Sequence, residues 1–551
     1  MTAIPKTAAA IQLIGPDKLT YNPEKEVFSP QSHQILCKVS VIGLCFSDLK
    51  LLKQFSGHVR KSGVISGVDP EILAGLPSYV PADQPTVPGH EVVVKIVAVG
   101  GDVSCVKIGE RFVMQADWRW LKTKESNGAF GYNFEGGLQE YVLLDERLLI
   151  SPDGDSMLLP APPGDKSASA FAMVEPWACV EESYQSAERQ GLKPDGNLLV
   201  VSDICAGPTV REGFFAKHGQ PGDTVRICRD AGGDGLLEKL HELPDNHFDD
   251  IIYFGNRADT LEGIFSKAAR KCLINIALCE GAFDRDVEVP LGDIHYRGIR
   301  ITGTTGEDPA RGYAAIPKTS ELRSGDSVHV VGAGGPMGVM HVIRNICRGI
   351  DNIEIFATDL SEDRLTALSR LAEPEAERHG VKYRAFLLPE EKPQGPFSYS
   401  VIMAPIPALC AQAVVNSAPN AIINIFAGIP IGKNGAIDMN ICISRQVYFM
   451  GTSGSVMEDM KIILRNVEAG RLDTNVSVAA ITGLNGAIDG LHAVEKQSID
   501  GKILVYPDCK GVTLTTLPEL ETRMPQVYEK LLNGVWTKAA EDTLLELCRG
   551  A

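Results

Sequence analysis

Short apolar runs broken by Gly, Pro and Asn occupy roughly the first 160 positions. Gln34–Ile42, Glu91–Gly100, Gly109–Met114 and Leu138–Leu144 are rich in Val, Ile and Leu and are bounded by turn residues. Many short strands of this kind predict a β-barrel-like domain. Beyond about residue 166 the pattern changes. Apolar strand-like runs then alternate with longer helix-prone segments, the signature of α/β architecture with parallel sheets. The clearest unit starts at Val328-His-Val-Val and passes through Gly-Ala-Gly-Gly-Pro-Met-Gly338 into a helix-prone stretch. A second strand, Ile353–Asp359, ends on an acid 21 residues after Gly338. That layout fits a dinucleotide-binding βαβ unit: small residues admit the pyrophosphate, a helix N-terminus faces it, and a carboxylate takes ribose hydroxyls. Ala333 stands where the first glycine of the motif is expected.

The α/β pattern also repeats. Phe248–Phe254 echoes Phe397–Met403, and Cys272–Ile276 echoes Ala421–Ile425, both 149 residues apart. Gly303–Gly306 echoes Gly451–Gly454 at 148. Gly196–Val201 echoes Gly325–Val330, and Asp230 pairs with Asp359, both at 129. The later copy therefore carries about twenty extra residues, placed in the polar stretch from Glu373 to Pro396. Two tandem Rossmann-type doubly wound domains are expected, at 166–318 and 319–482. The remainder, 483–551, is expected to return to the first domain and end in a helical tail. In the earlier copy the turn is Asp203–Val210, where only Gly207 survives and Val210 replaces the third glycine. A branched side chain there holds the helix off the strand. The nicotinamide cofactor is therefore expected on the later copy, while Asp230 leaves open a ribose-containing ligand on the earlier one. The cofactor contacts expected are Gly332, Ala333, Gly334, Gly335, Pro336, Met337 and Gly338, with Asp359 on the ribose and Arg364 beside it. Gly451, Thr452 and Ser453 are expected on the nicotinamide side. A carboxylate at Asp359 repels a 2′-phosphate, so NAD is preferred over NADP.

Bulk composition narrows the partners. A net charge of −17 without a basic run argues against nucleic acid. No apolar run approaches the roughly 20 residues a membrane span needs. The N-terminal stretch lacks a signal-peptide pattern. The 13 cysteines are scattered and never form C-x-x-C, which fits a reducing cytoplasm with most thiols acting as small buried apolar groups. Leu517–Thr522 and Glu541–Leu547 read as amphipathic helices.

Three motifs then carry a resemblance: Gly43-Leu-Cys-Phe-Ser-Asp-Leu-Lys50, Pro88-Gly-His-Glu91 and Val174-Glu-Pro-Trp-Ala178. In this order, ahead of a dinucleotide fold, they resemble the zinc-dependent medium-chain dehydrogenases. The polyol and sugar-phosphate branch, with sorbitol dehydrogenase and L-sorbose-1-phosphate reductase, is the most similar. Val99–Val103, Gly109–Val113, Glu135–Tyr141 and Asp500–Pro507 support it. The resemblance implies a GroES-like catalytic domain over residues 1–165. It implies one catalytic zinc held by Cys45, His90 and Glu175, with Glu91 either a fourth, exchangeable ligand or a group standing behind the ligands. Asp48 would orient His90, and Ser47 would take the substrate proton. The cysteine-bearing lobe common in the family is replaced by Gln115–Tyr132, so no structural zinc is expected. Within that stretch Trp118, Arg119, Lys122 and Lys124 are candidates to meet a polar substrate. Lys50 stands where relatives carry a relay histidine. The expected activity is hydride transfer between NAD and a polyol, sugar or sugar phosphate, in a homo-oligomer. Two alternatives stay open: a lyase, epimerase or dehydratase that oxidises transiently on a retained NAD, and a non-catalytic scaffold.

Overall fold

The computed structural model describes residues 4–204, 210, 213–229 and 235–550. The Gly207 and Asp230 expectations lie outside these residues. Two compact units are formed, one from residues 1–179 with 454–551 and the other from 180–453.

The first unit is built on an eight-stranded sheet. Gln34–Gly43 runs through its centre and pairs antiparallel with Glu91–Val99, Tyr141–Asp145 and Lys502–Val505. Its residues alternate little because both faces are covered; Ile35 through Cys37 and Val41 through Gly43 are all buried. Arg111–Met114 and Leu158–Pro160 extend the sheet on one side, and Val478–Thr482 and Thr515–Thr516 on the other. Val478–Thr482 thus belongs here and not with 319–482, because its backbone pairs in parallel with Lys502–Val505. The chain returns to this unit at Gly454, earlier than the 483 expected.

The C-terminal helix Lys538–Gly550 is tied back onto the same unit. Glu541 accepts the backbone N–H groups of Ala168 and Ser169 at 2.6 and 2.9 Å, at the start of helix Ala168–Ala172. Tyr506 donates to the same carboxylate at 2.9 Å. Cys509 is joined to Cys548 by a disulfide with Cα atoms 5.1 Å apart. These two thiols are thus exceptions to the expectation that most act as small apolar groups. The tail folds back onto the strand end, a proximity that the scattered spacing did not reveal.

The second unit holds two parallel sheets. In the first, the order is Asp223–Cys228, Asn197–Ser202, Phe248–Phe254, Ala268–Ala277, Arg300–Thr304. In the second it is Lys382–Leu387, Glu354–Asp359, Ser327–Val331, Phe397–Ile402, Ser417–Ile425, Tyr448–Met450. The additional edge strand Lys382–Leu387 lies inside the stretch the sequence marks as surplus. The same stretch also carries the end of helix Glu362–His379. A short antiparallel ribbon joins Val287–Val289 to Gly435–Ile437, with Glu288 opposite Ala436. One apolar cluster runs through both sheets, from Leu199 and Ile276 to Ile402 and Ile425. Among the described residues no helix is long and apolar enough to cross a membrane.

Candidate functional site

The site in the first unit is assembled around Asp48. Cys45 is the N-cap of helix Phe46–Gln54, and Asp48 lies in its first turn. The Asp48 carboxylate accepts the Cys45 backbone N–H at 3.0 Å and the Gly89 N–H at 3.3 Å. It also meets His90 Nδ1 at 3.0 Å. One buried acid therefore fixes the thiol-bearing turn, the Pro-Gly-His-Glu turn and the imidazole together. A proton on Nδ1, shared with Asp48, leaves the Nε2 lone pair available to an electrophile.

The glycines of the Glu135-Gly-Gly-Leu motif explain why the second turn holds its shape. Gly89 has φ +98, a left-handed conformation that disfavours a side chain. A Cβ on Gly136 would lie 2.4 Å from the Gly89 carbonyl oxygen and 2.7 Å from that of Pro88. Gly137 N–H donates to the Gly89 carbonyl at 2.7 Å. The motif is therefore a backbone clamp on the loop that carries His90.

Cys45, His90 and Glu91 bring one donor atom each to within 4.8 Å of one another. His90 and Glu91 are buried and Cys45 is half-buried. Glu175 stands outside this group, its carboxylate 3.8 Å from Cys179 Sγ. Burial pushes Glu175 up to about 7, with His90 and Lys502 opposing and Glu91 adding to the rise. Burial works against a charge on His90, but Asp48 overrides it and the ring sits well above its ordinary value. Ser47 is half-buried in the first turn of the helix.

Two groups escaped the sequence reading. Lys502 is buried and donates to Glu91 Oε1 and, at 3.1 Å, to the Leu44 carbonyl. Its strand was legible, but its partner lies 411 positions away. Arg60 is ion-paired with Asp117 at 2.9 Å, stacks over Tyr132 at 5.5 Å, and acts electrostatically on Glu175 and Cys179. Trp118, by contrast, is withdrawn from any substrate role. It is buried, donates to the Gln115 carbonyl at 2.8 Å and packs on Phe134. The hairpin Asp117–Lys122 with Asn127–Ala129 turns it inward, leaving Lys122 and Lys124 exposed. Arg119 donates to the Ser455 carbonyl at 2.8 Å.

Lys502 and Glu91 form a buried ion pair. Removing one partner of such a pair leaves an uncompensated charge and costs about 3–5 kcal/mol. Lys502→Met is therefore expected to lower the midpoint of urea unfolding of the first unit. An unchanged midpoint would show that Glu91 is neutralised by another group.

In the second unit the glycine turn joins strand Ser327–Val331 to helix Pro336–Cys347. Gly332 has φ +81. Gly335 is the N-cap and offers no side-chain cap, so the first N–H groups of the helix are left for a ligand or water. Ala333 is buried; Pro336 and Met337 are half-buried at the helix start. Asp359 ends its strand, but its carboxylate is engaged by the backbone. Oδ2 accepts from Gly334 N–H at 2.9 Å, and Oδ1 from Leu360 and Ser361 at 2.8 and 3.1 Å. In this structure Asp359 braces the turn. Arg364 is half-buried in the first turn of the next helix, with its N–H capped by Ser361 at 3.3 Å. Gly451 is buried and its carbonyl accepts from Arg300 at 3.1 Å. Thr452 is half-buried with its hydroxyl unpartnered among the described residues, and Ser453 is exposed.

Residues 31–153 match the alcohol dehydrogenase GroES-like domain family. The uncharacterized protein YggP of Escherichia coli (strain K12) is 25% identical over 308 residues, 48% of this chain and 70% of that protein. L-sorbose 1-phosphate reductase of Klebsiella pneumoniae is 27% identical over 225 residues, 39% of this chain. That alignment spans about half of the reductase, 54%. Among solved structures, 2R,3R-butanediol dehydrogenase from Bacillus subtilis superposes with a TM-score of 0.52. It is 15% identical and the superposition covers 91% of this chain and 99% of that one, a likeness of fold. Residues 31–153 thus match a GroES-like domain of the alcohol dehydrogenase type, and the superposition shows a shared fold.

Proposed function

We propose that this protein is a zinc- and NAD-dependent oxidoreductase acting on a hydroxyl of a polyol, sugar or sugar phosphate, or on the corresponding ketone. One observation carries the reading. A thiol, an imidazole and a carboxylate converge, and the carboxylate oxygen Glu91 Oε2 is buried without a hydrogen-bond partner among the described residues. An orphaned buried anionic oxygen is costly unless a cation meets it. Sulfur, nitrogen and oxygen donors together suit zinc. Cys45, His90 and Glu91 would hold the ion, with Glu175 the further carboxylate beside them. Bound there, it would supply a Lewis acid that lowers the pKa of a substrate hydroxyl.

The chain's own residues do the rest. Asp48 keeps His90 in one tautomer and orientation. Lys502 occupies Glu91 Oε1 and leaves Oε2 as the donor. Ser47 Oγ, in the first turn of helix Phe46–Gln54, would receive the hydroxyl proton. Arg60 supplies a cation for a polar or phosphorylated substrate. NAD, when bound, would supply the hydride acceptor, and the turn Gly332–Gly338 with the start of helix Pro336–Cys347 would hold its phosphates. In this reading the two parallel sheets of the second unit are diverged copies of one dinucleotide-type domain. The strand orders are alike apart from the added edge strand, and Phe248 and Phe397 open corresponding strands. The L-sorbose 1-phosphate reductase match favours a sugar-phosphate substrate.

The test is metal analysis of the purified chain together with a screen of polyols, sugars and sugar phosphates against NAD and NADP. About one catalytic zinc and growth of reduced-nicotinamide absorbance with NAD are expected. A chain that binds no metal and oxidises nothing would leave only a scaffold. Product formed without net reduced cofactor would point to transient oxidation instead.

A further inference from the structure

A second group of metal-type donors lies far from Cys45 in the chain, at the C-terminal ends of two packed helices. Cys347 is the last residue of helix Pro336–Cys347. Glu375 and His379 are one turn apart in the last part of helix Glu362–His379 and so share a face. All three are half-buried, and each brings one donor atom to within 4.8 Å of the other two. Cys347 Sγ lies 3.9 Å from Glu375 Oε2, and His379 Nε2 lies 3.7 Å from the same oxygen. Zinc bond lengths and tetrahedral angles put the corresponding ligand separations at about 3.6 Å for S···O and about 3.4 Å for N···O. At these two pairs the spacing needs to contract by only a few tenths of an ångström, and the third pair already lies within 4.8 Å.

We propose that Cys347, Glu375 and His379 form a second divalent-metal site, of the zinc class, clamping helix Pro336–Cys347 to helix Glu362–His379. The donor set is soft sulfur, imidazole nitrogen and hard carboxylate oxygen, which suits zinc better than calcium or magnesium. A thiolate and a carboxylate balance a dication, and water completes the fourth position.

The charge pattern already points to a cation there. Arg378 places its guanidinium 2.7 Å from Glu375 Oε2 and 3.3 Å from His379 Nε2. Donation to Nε2 requires a lone pair on that nitrogen, the state a metal also needs. Arg378 is 56% exposed, so it can swing into solvent when an ion takes its place. Burial and the neighbouring Glu375 push the Cys347 thiol up to about 12, so binding must displace its proton. Affinity consequently rises with pH. The clamp sits at the far end of the helix that opens on the Gly332–Gly338 turn.

The test uses the full chain with Cys45→Ser, so that the first metal group loses its thiolate. Adding Co²⁺ is expected to produce a thiolate-to-cobalt charge-transfer band. The band should vanish in the Cys45→Ser/Cys347→Ser double variant and weaken at least about tenfold in apparent affinity in Cys45→Ser/His379→Ala. A band that persists without Cys347, or no band at all, would overturn the proposal. Wild-type protein gives an independent readout by mass spectrometry of iodoacetamide labelling. Zn²⁺ should slow alkylation of Cys347 but not of the exposed Cys105 and Cys228, and His379→Ala should abolish the protection. Equal labelling of Cys347 with and without Zn²⁺ would count against the site even if Cys45→Ser failed to fold. Neither readout depends on turnover, so this site and the proposed activity stand or fall separately.

Discussion

Gly338→Val is expected to weaken NAD binding at least tenfold, a loss of about 1.4 kcal/mol or more. The reason is backbone, not side chain. A Cβ at position 338 would lie 2.5 Å from the Gly332 carbonyl oxygen and 2.6 Å from that of Ala333. Neither atom can rotate away. The helix would have to lift off the turn, spreading the N–H groups left for a phosphate. Overpacking of this kind costs about 1–3 kcal/mol, so the fold should survive with a lowered melting point. Gly335→Ala is the steric control. Its Cβ would meet nothing closer than the Gly332 oxygen at 3.9 Å, and the melting point should not move. Titration by nicotinamide fluorescence or calorimetry reads the result. If Gly338→Val bound NAD like the parent chain, the cradle would have to be sought elsewhere, with the earlier sheet as the next place.

Cys45→Ser is the second large effect. The swap is nearly isosteric, and Ser is a good N-cap, so the helix Phe46–Gln54 should lose nothing. The hydroxyl, however, stays protonated where a thiolate would bind a soft metal. Outer partners of metal ligands typically matter 10–100-fold, and a ligand itself should matter more. Turnover is expected to fall more than about 100-fold with zinc at this site lost, while NAD binding and the melting point persist. Normal turnover in this variant would end the zinc chemistry proposed here. If NAD binding disappeared as well, the effect would be on folding.

The local signals carried a good deal. The strand, glycine turn, helix and second strand from Ser327 to Asp359 follow from side-chain periodicity and from the need for small residues at the turn. Asp48 beside His90 followed from the family resemblance, and the helix turn that begins at Cys45 carries it there. Cys45, His90 and Glu91 were legible as candidates because each sits in a short, turn-bound motif. What those motifs did not contain was their surroundings. Lys502 reaches Glu91 across 411 positions, and that contact decides which carboxylate oxygen is left open. Glu175, expected among the donors, also has Cys179 Sγ 3.8 Å from its carboxylate, a neighbour its own motif did not announce. Trp118 reads as a surface residue in a charged loop, yet a three-residue partner strand turns it into the core.

Sequence by itself determined which segments are strands and helices, which turns need glycine, and which residues have metal-binding chemistry, because those properties depend on near neighbours in the chain. Only the tertiary structure decided that the chain returns to the first unit as early as Gly454, that Cys509 meets Cys548, and that Asp359 Oδ2 accepts the Gly334 N–H. These outcomes rest on contacts between distant segments and on buried groups finding partners, and no local pattern specifies which partner is found.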